Sequence, residues 1–362
     1  MKIISLEAEN KYLGWKLEKI NFNENLTLLV GASGVGKTQI LKSINSLKDI
    51  CEGKSISGFK WNVEFNINNK EIIWQGEFKK FSLSDALQNI GYETKILSEY
   101  LYIDNKSIIN RNENEIIYQS DKLPKLSPEQ STLYILREEE IIQEIVSSID
   151  KIILNDNTEK NPKLFLSINK VELGKKLGRY EKIENINNIN ENIILKLFLC
   201  YELKRAEFEG IKNEFINIFP QVQDIKIEKL ETKNNDIFLT MQIQENNTWI
   251  FNDEMSSGML RTFIHIAETY LLNDGSVILI DEFENSLGIN CIDILTQDLT
   301  ANDKLQFILT SHHPYIINNI PYEYWKIVKR KGGIITTKDA KEYKIGVSKQ
   351  QAFLQLTKIL QD

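Results

Sequence analysis

Apolar and polar residues alternate at period two through "IISLEAEN" and "WKLEKINF", and "LTLLV" then runs directly into glycine. Alternation of this kind sends successive side chains to opposite faces of a strand, so three strands are predicted in the first 30 residues. The pattern then changes period. In "KTQILKSINSLKDI" the apolar residues Ile40, Leu41, Ile44 and Leu47 recur at helical spacing. "FKWNVEFNINNKEIIWQGEFKKF" returns to period two with Asn68–Asn69 at its centre, the mark of a hairpin. "ETKILSEYLYID", "KSIINR" and "EIIYQS" add short strands, so residues 55 to 120 read as a β-rich lobe.

After Pro128 the texture becomes helical. "EQSTLYILREEEIIQEIVSSIDKII" carries an apolar stripe, and "NENIILKLFLCYELKRAEFEGIKNEFINIF" reads as one long helix ended by Pro220. The segment between them, "NDNTEKNPKLFLSINKVELGKK", is predicted to be a loop. Strands resume over 222–251, and a helix is predicted from about Ser257 to Leu272. "GSVILIDE" and "LQFILTS" are continuous apolar runs of the kind found in parallel strands buried on both faces. Hairpin-like wording and a short helix close the chain. The expected organisation is an α/β head whose first part spans 1–125, an inserted helical lobe over 126–220, and a second head part over 221–362.

Composition narrows the class. Hydrophobic residues make up 42% and charged residues 26% of 362, which is ordinary for a globular protein. A net charge of −7 excludes a wholly basic nucleic-acid binder, although local patches such as "KLEKI" (16–20) and "KRKGG" (329–333) stay open. Glu7 and Glu9 interrupt the place where an export signal would need an apolar run, and no stretch approaches a membrane span. Cys51, Cys200 and Cys291 are far apart and lack CxxC spacing, which fits reduced thiols in the cytoplasm and no zinc framework.

Two stretches carry phosphate chemistry. "GASGVGKT", Gly31, Ala32, Ser33, Gly34, Val35, Gly36, Lys37 and Thr38, matches GxxxxGK[ST] between a strand and a helix. The glycines let backbone N–H groups curl around phosphates at the positive end of the helix. Lys37 adds a point charge, and Thr38 a hydroxyl ligand for Mg²⁺. Far downstream, "SVILIDEFENSLG" delivers Asp281 and Glu282 to the C-terminal edge of a buried strand, where α/β folds place ligands. Asp281 suits the metal's hydration shell, and Glu282 suits polarising an attacking water.

"DEMSSGMLRTF" precedes a helix, and "TSHHP" follows a buried strand. Taken in order, the phosphate loop, the Ser-Ser-Gly helix start, the strand with Asp-Glu and the strand with Ser-His resemble the ABC-type ATPases. The closest resemblance is to the soluble branch of RecF, chromosome-maintenance and break-repair ATPases, and the OLD-like ATPases of bacterial defence. It covers about 1–50 and 250–330, and implies an ABC-ATPase-like P-loop NTPase fold with ATP and Mg²⁺. It further implies that Ser256, Ser257 and Gly258 form a signature contacting ATP held by a second subunit, in a head-to-tail homodimer or larger homo-oligomer. Gln130 is the best-placed Q-loop glutamine, and Asn285, Ser286 and Leu287 sit at the D-loop. His312 takes the place of the switch histidine, bonded to the γ-phosphate or the attacking water. His313 stands where the family often has serine, and is expected to be exposed or to contact a partner.

The departures from the family pattern also inform. MSSGM differs from the transporter signature LSGGQ, Ser33 stands for a common asparagine, and the stretch from Thr38 to Met255 is too short for a long coiled coil. Too few residues follow His313 for the nuclease domain of many OLD-like proteins, so none is expected within this chain. Three functions remain open on sequence. The first is an ATPase that regulates a separate nuclease or toxin effector in anti-phage defence. The second is a RecF-like repair ATPase binding DNA, and the third a nucleotide-gated scaffold with little turnover.

Overall fold

The computed structural model describes residues 1–80, 94–155, 165–181, 186, 189, 191–232, 234–285, 287 and 289–343. The short C-terminal helix expected from the sequence lies outside them. The chain divides into two units, one of residues 1–156, 275–283 and 302–362, the other of 157–274 and 284–301.

The first unit is organised by a 14-stranded sheet. Its parallel part runs, in spatial order, Ile152–Asn155, Val277–Ile280, Gln306–Thr310, Leu26–Val30 and Trp325–Lys331. Every residue of Leu26–Val30, Val277–Ile280 and Gln306–Thr310 is buried, as the unbroken apolar runs require. The helix Lys37–Cys51 contributes Ile40, Leu41, Ile44 and Leu47 to the core beside this sheet. Beyond Ile334–Asp339 and Trp15–Asn21, the sheet continues antiparallel through Lys2–Asn10, Phe59–Ile67, Lys70–Phe78, Ile96–Ile103 and Lys106–Asn112.

The predicted hairpin forms as expected. Asn68 and Asn69 both take positive φ, 50° and 63°, which matches a two-residue turn to the twist of its strands. Behind it Trp61 meets Trp74 edge-on at 5.2 Å. The helical stripe after Pro128 is shorter than its apolar run suggests. Helices span Thr132–Ile135 and Glu140–Ile149, and Ile152–Asn155 is a strand parallel to Val277–Ile280. A three-residue apolar run, Ile152 to Leu154, fits either period, and here an open sheet edge supplies its hydrogen bonds. Residues 126–156 therefore lie in the first unit.

The second unit has a four-stranded sheet in which Asp236–Glu245 pairs with Phe165–Asn169, Val222–Glu231 and Thr248–Phe251. Two expectations change here. The loop predicted around residue 165 contains the strand Phe165–Asn169, and then a helix, Lys170–Tyr180, whose N-terminus is capped by the Asn169 side chain. The single long helix is two, Ile193–Glu202 and Ala206–Ile218. Lys204 turns the chain with φ 50°, while the Arg205 N–H donates to Cys200 O at 2.8 Å and closes the first helix. The apolar pattern runs through this break because both helices bury the same kind of face. Ser257–Leu271 packs Phe263 edge-on against Phe215 at 5.4 Å.

Candidate functional site

The phosphate loop leaves the buried strand Leu26–Val30 and ends where Gly36 caps the helix Lys37–Cys51. A Cβ on Gly31 would stand 2.6 Å from Val328 O, so this position tolerates only glycine beside the neighbouring strand. Gly36 has φ 103°, and a Cβ there would meet Ile335 Cδ1 at 2.5 Å. Between them the loop exposes Ala32, Ser33 and Gly34, while Val35 packs against the core. The cradle is thus open on its ligand face and held by close packing behind.

Lys37 is buried, with Nζ donating to Gly31 O at 2.8 Å and Ala32 O at 2.9 Å. The same ammonium lies 3.5 Å from His312 Nδ1. Thr38 Oγ1 donates to Asp281 Oδ2 at 2.8 Å, although the two residues are 243 positions apart. A hydroxyl and a carboxylate side by side at a helix start are the hard oxygen donors that Mg²⁺ prefers, so these residues fit the metal.

Glu282 follows Asp281 with φ 50°, a left-handed conformation that costs a non-glycine residue on the order of 1 kcal/mol. The turn exposes its carboxylate in the cleft. One residue that the motif reading missed secures this geometry. Thr310 Oγ1 donates to Asp281 Oδ1 at 2.6 Å and accepts the Glu282 N–H at 2.8 Å. Its position at the end of a buried strand, just before Ser-His, is the one local signal that could have pointed to it.

The cleft is lined by Ser33, Gly34, Gly36, Lys37, Thr38, Gln39, Asp281, Glu282, His312 and Arg330. The structure therefore brings the phosphate loop, the acidic strand end and His312 into one place. His313 does something else: its side chain accepts the Tyr315 N–H and caps the helix Pro314–Asn319. Gln39 and Arg330 were not singled out by the phosphate-loop motif, and belong to the same cleft.

Gln130 is not among the lining residues. It lies just before the helix Thr132–Ile135, in a segment fixed by a buried ion pair. Arg111 donates to Gln130 O and Ser127 O, each at 2.8 Å, and Glu99 accepts Thr132 N–H at 2.7 Å and Trp74 Nε1–H at 3.1 Å. Burial holds the Arg111 guanidinium below its ordinary pKa, with Glu99 opposing that shift. Ser256, Ser257 and Gly258 belong to the second unit. Ser256 caps the helix Ser257–Leu271 by accepting the Met259 N–H at 3.2 Å. Asn285 and Leu287 are also in the second unit, and Ser286 lies outside the described residues.

Among the described residues no group of three or more His, Cys, Asp or Glu is arranged to hold a metal by itself. All three cysteines are buried and outside any disulfide, and burial pushes the Cys200 thiol up to about 12. No described helix is long and apolar enough to cross a membrane. Of the candidate DNA-facing lysines, Lys16 pairs with Glu7 at 3.5 Å and Lys19 with Glu64 at 2.8 Å.

A family model described as "AAA domain, putative AbiEii toxin, Type IV TA system" matches residues 26–318. No curated protein matches the chain. Among solved structures, the chain is similar to an Smc head bound to the C-terminal winged-helix domain of ScpA, with 13% identity and a TM-score of 0.53. That match covers 93% of this chain and 98% of the other. It is also similar to an Smc head domain with an extended coiled coil, bound to the C-terminal domain of ScpA derived from Pyrococcus furiosus. There the identity is 12%, the TM-score 0.52, and the cover 99% of each chain. At these identities the likeness is one of fold: an α/β P-loop ATPase head.

Proposed function

We propose that this chain, which belongs to the AAA-domain family associated with AbiEii toxins and type IV toxin–antitoxin systems, binds and hydrolyses ATP to control a separate effector. One observation carries the reading: Lys37, the Thr38–Asp281 pair, Glu282 and His312 converge on one cleft from three neighbouring strands. Chance glycine turns and chance acidic strand ends have no reason to meet.

Each residue then has a task. The phosphate loop N–H groups bind the β-phosphate region, and Lys37 neutralises charge toward the γ-phosphate. Thr38 and Asp281 hold Mg²⁺, which when bound neutralises charge on the phosphate oxygens. Glu282 accepts a proton from the attacking water, and His312 hydrogen-bonds at the γ-phosphate side. Thr310 holds both acidic residues in register. Ser256, Ser257 and Gly258 present a capped helix start to ATP held by a second copy, which makes ATP the bridge of a homodimer. The family's toxin–antitoxin setting supports an effector of the toxin or nuclease class and a role in anti-phage defence.

The test is phosphate release by the full chain with ATP and Mg²⁺. Glu282→Gln is expected to keep ATP binding and slow hydrolysis at least about 100-fold, the usual scale for losing a general base. Lys37→Ala is expected to weaken binding itself. Hydrolysis by Glu282→Gln at the wild-type rate would remove the catalytic assignment.

A further inference from the structure

The reaction groups lie on one flank of the phosphate loop. Across the sheet the order is Val277–Ile280, Gln306–Thr310, Leu26–Val30, Trp325–Lys331. Asp281 and Glu282 therefore emerge two strands from the loop, and His312 one strand from it, on the same side. Trp325–Lys331 borders Leu26–Val30 on the other side and runs parallel to it, with Ile327 beside Val30. Arg330 leaves the sheet at the same edge but on the opposite flank, and lines the same cleft.

The guanidinium is positioned. Nε donates to Gly332 O at 2.9 Å, and Nη1 donates to Gln39 Oε1 at 3.3 Å. Gln39 stands in the first turn of the helix Lys37–Cys51, where backbone N–H groups have no intrahelical acceptor and suit an anion. A guanidinium has five N–H donors, and these two bonds occupy two of them. The basic triplet Lys329–Arg330–Lys331 does not act as one stripe, because successive strand residues point to opposite faces. Lys329 Nζ lies over the Tyr343 ring, 5.8 Å from its centroid.

The geometry points to Arg330 as a nucleotide-binding residue that holds the α-phosphate, the end of the triphosphate that is not transferred. This rests on the ATP reading above. A triphosphate lying along the loop with its γ-phosphate toward Asp281, Glu282 and His312 extends its α-phosphate toward the Arg330 flank. A contact there is made equally by ATP and ADP. Arg330 thus sets affinity for both nucleotides, whereas groups on the other flank tell them apart.

Calorimetric titration of the full chain with ATP, ADP and inorganic tripolyphosphate tests this, using wild type, Arg330→Ala, Arg330→Lys and Lys37→Ala. Arg330→Ala is expected to weaken all three ligands by a similar factor, about ten-fold, as for one charge-assisted hydrogen bond. Arg330→Lys should restore part of the loss. The melting temperature should not move, since the side chain is exposed. Wild-type affinity in Arg330→Ala would overturn the assignment, and so would a loss confined to ATP. Weaker ATP and ADP with unchanged tripolyphosphate would also overturn it, by placing the contact on the nucleoside. If wild type binds and Lys37→Ala does not, an unaffected Arg330→Ala defeats only this inference. If wild type binds no nucleotide, the ATP reading itself falls.

Discussion

Thr310 shows how much chemistry one unremarked side chain can organise. Its hydroxyl donates to Asp281 and accepts from the Glu282 backbone, so one atom sets the orientation of the Asp281 carboxylate and of the left-handed residue beside it. Thr310→Val keeps the shape and removes both bonds. ATP turnover is expected to fall by ten-fold or more, with a smaller change in ATP affinity, and denaturant unfolding should register a loss of about 1–3 kcal/mol. Glu214, in the second unit, offers a second residue-scale test. Its carboxyl is pushed up to about 7, first by burial and then by its hydrogen bond to and charge repulsion from Asp298, while the Tyr270 hydrogen bond opposes the shift. A carboxyl whose folded pKa is raised contributes stability that is complete below its unfolded value of 4.5 and lost as pH rises through about 7. Between those values stability should fall by on the order of 1–2 kcal/mol, reduced from the full linkage because the group is partly exposed. Glu214→Gln should flatten that slope in unfolding measured from pH 5 to 8, and be the more stable form at pH 8. A slope unchanged by the substitution would show that Glu214 does not cause it.

At the scale of elements, the helix Ser257–Leu271 is fixed at both ends by different means. Ser256 caps its start, and the buried Lys196 ammonium donates to Leu271 O and Asn273 Oδ1, each at 2.9 Å, at its finish. A cation there also suits the negative end of the helix. Lys196→Met keeps the apolar stem and leaves the carbonyl without this donor, so unfolding should show a loss of about 1–3 kcal/mol. An unchanged midpoint would mean that water replaces the ammonium. The cap at Ser256 is legible in the sequence, because a serine before a helical pattern has a local mechanism. Lys196 is not, because a lysine inside an apolar helix finds its acceptors 75 positions away or more. The same limit explains the misread elements. Ile152–Asn155 is a strand because the edge of Val277–Ile280 is open to it, and the long helix breaks at Lys204 although its apolar period does not.

For the whole molecule, the ATP-bridged pair is the central expectation, and mass in solution measures it. Glu282→Gln with ATP and Mg²⁺ should sediment as a dimer or larger assembly, and return to the smaller species with ADP. A mass unchanged by ATP would defeat the sandwich, while leaving nucleotide binding in the cleft intact. The net charge of −7, with Lys16 and Lys19 paired to glutamates, gives little support to DNA as the principal partner. By itself the sequence determined the reactive groups: the loop that cradles phosphate, the acidic strand end, the serine cap and the histidine after a strand. Each is a short-range pattern whose chemistry follows from residue type and spacing. Only the tertiary structure decided which groups meet. Strand order in the parallel sheet sets Asp281 against Thr38, His312 against Lys37, and Arg330 on the opposite flank. It also separates His313 from the chemistry and gives it a helix to cap. Partners so distant in the chain are chosen by strand pairing and burial, and no local spacing encodes them.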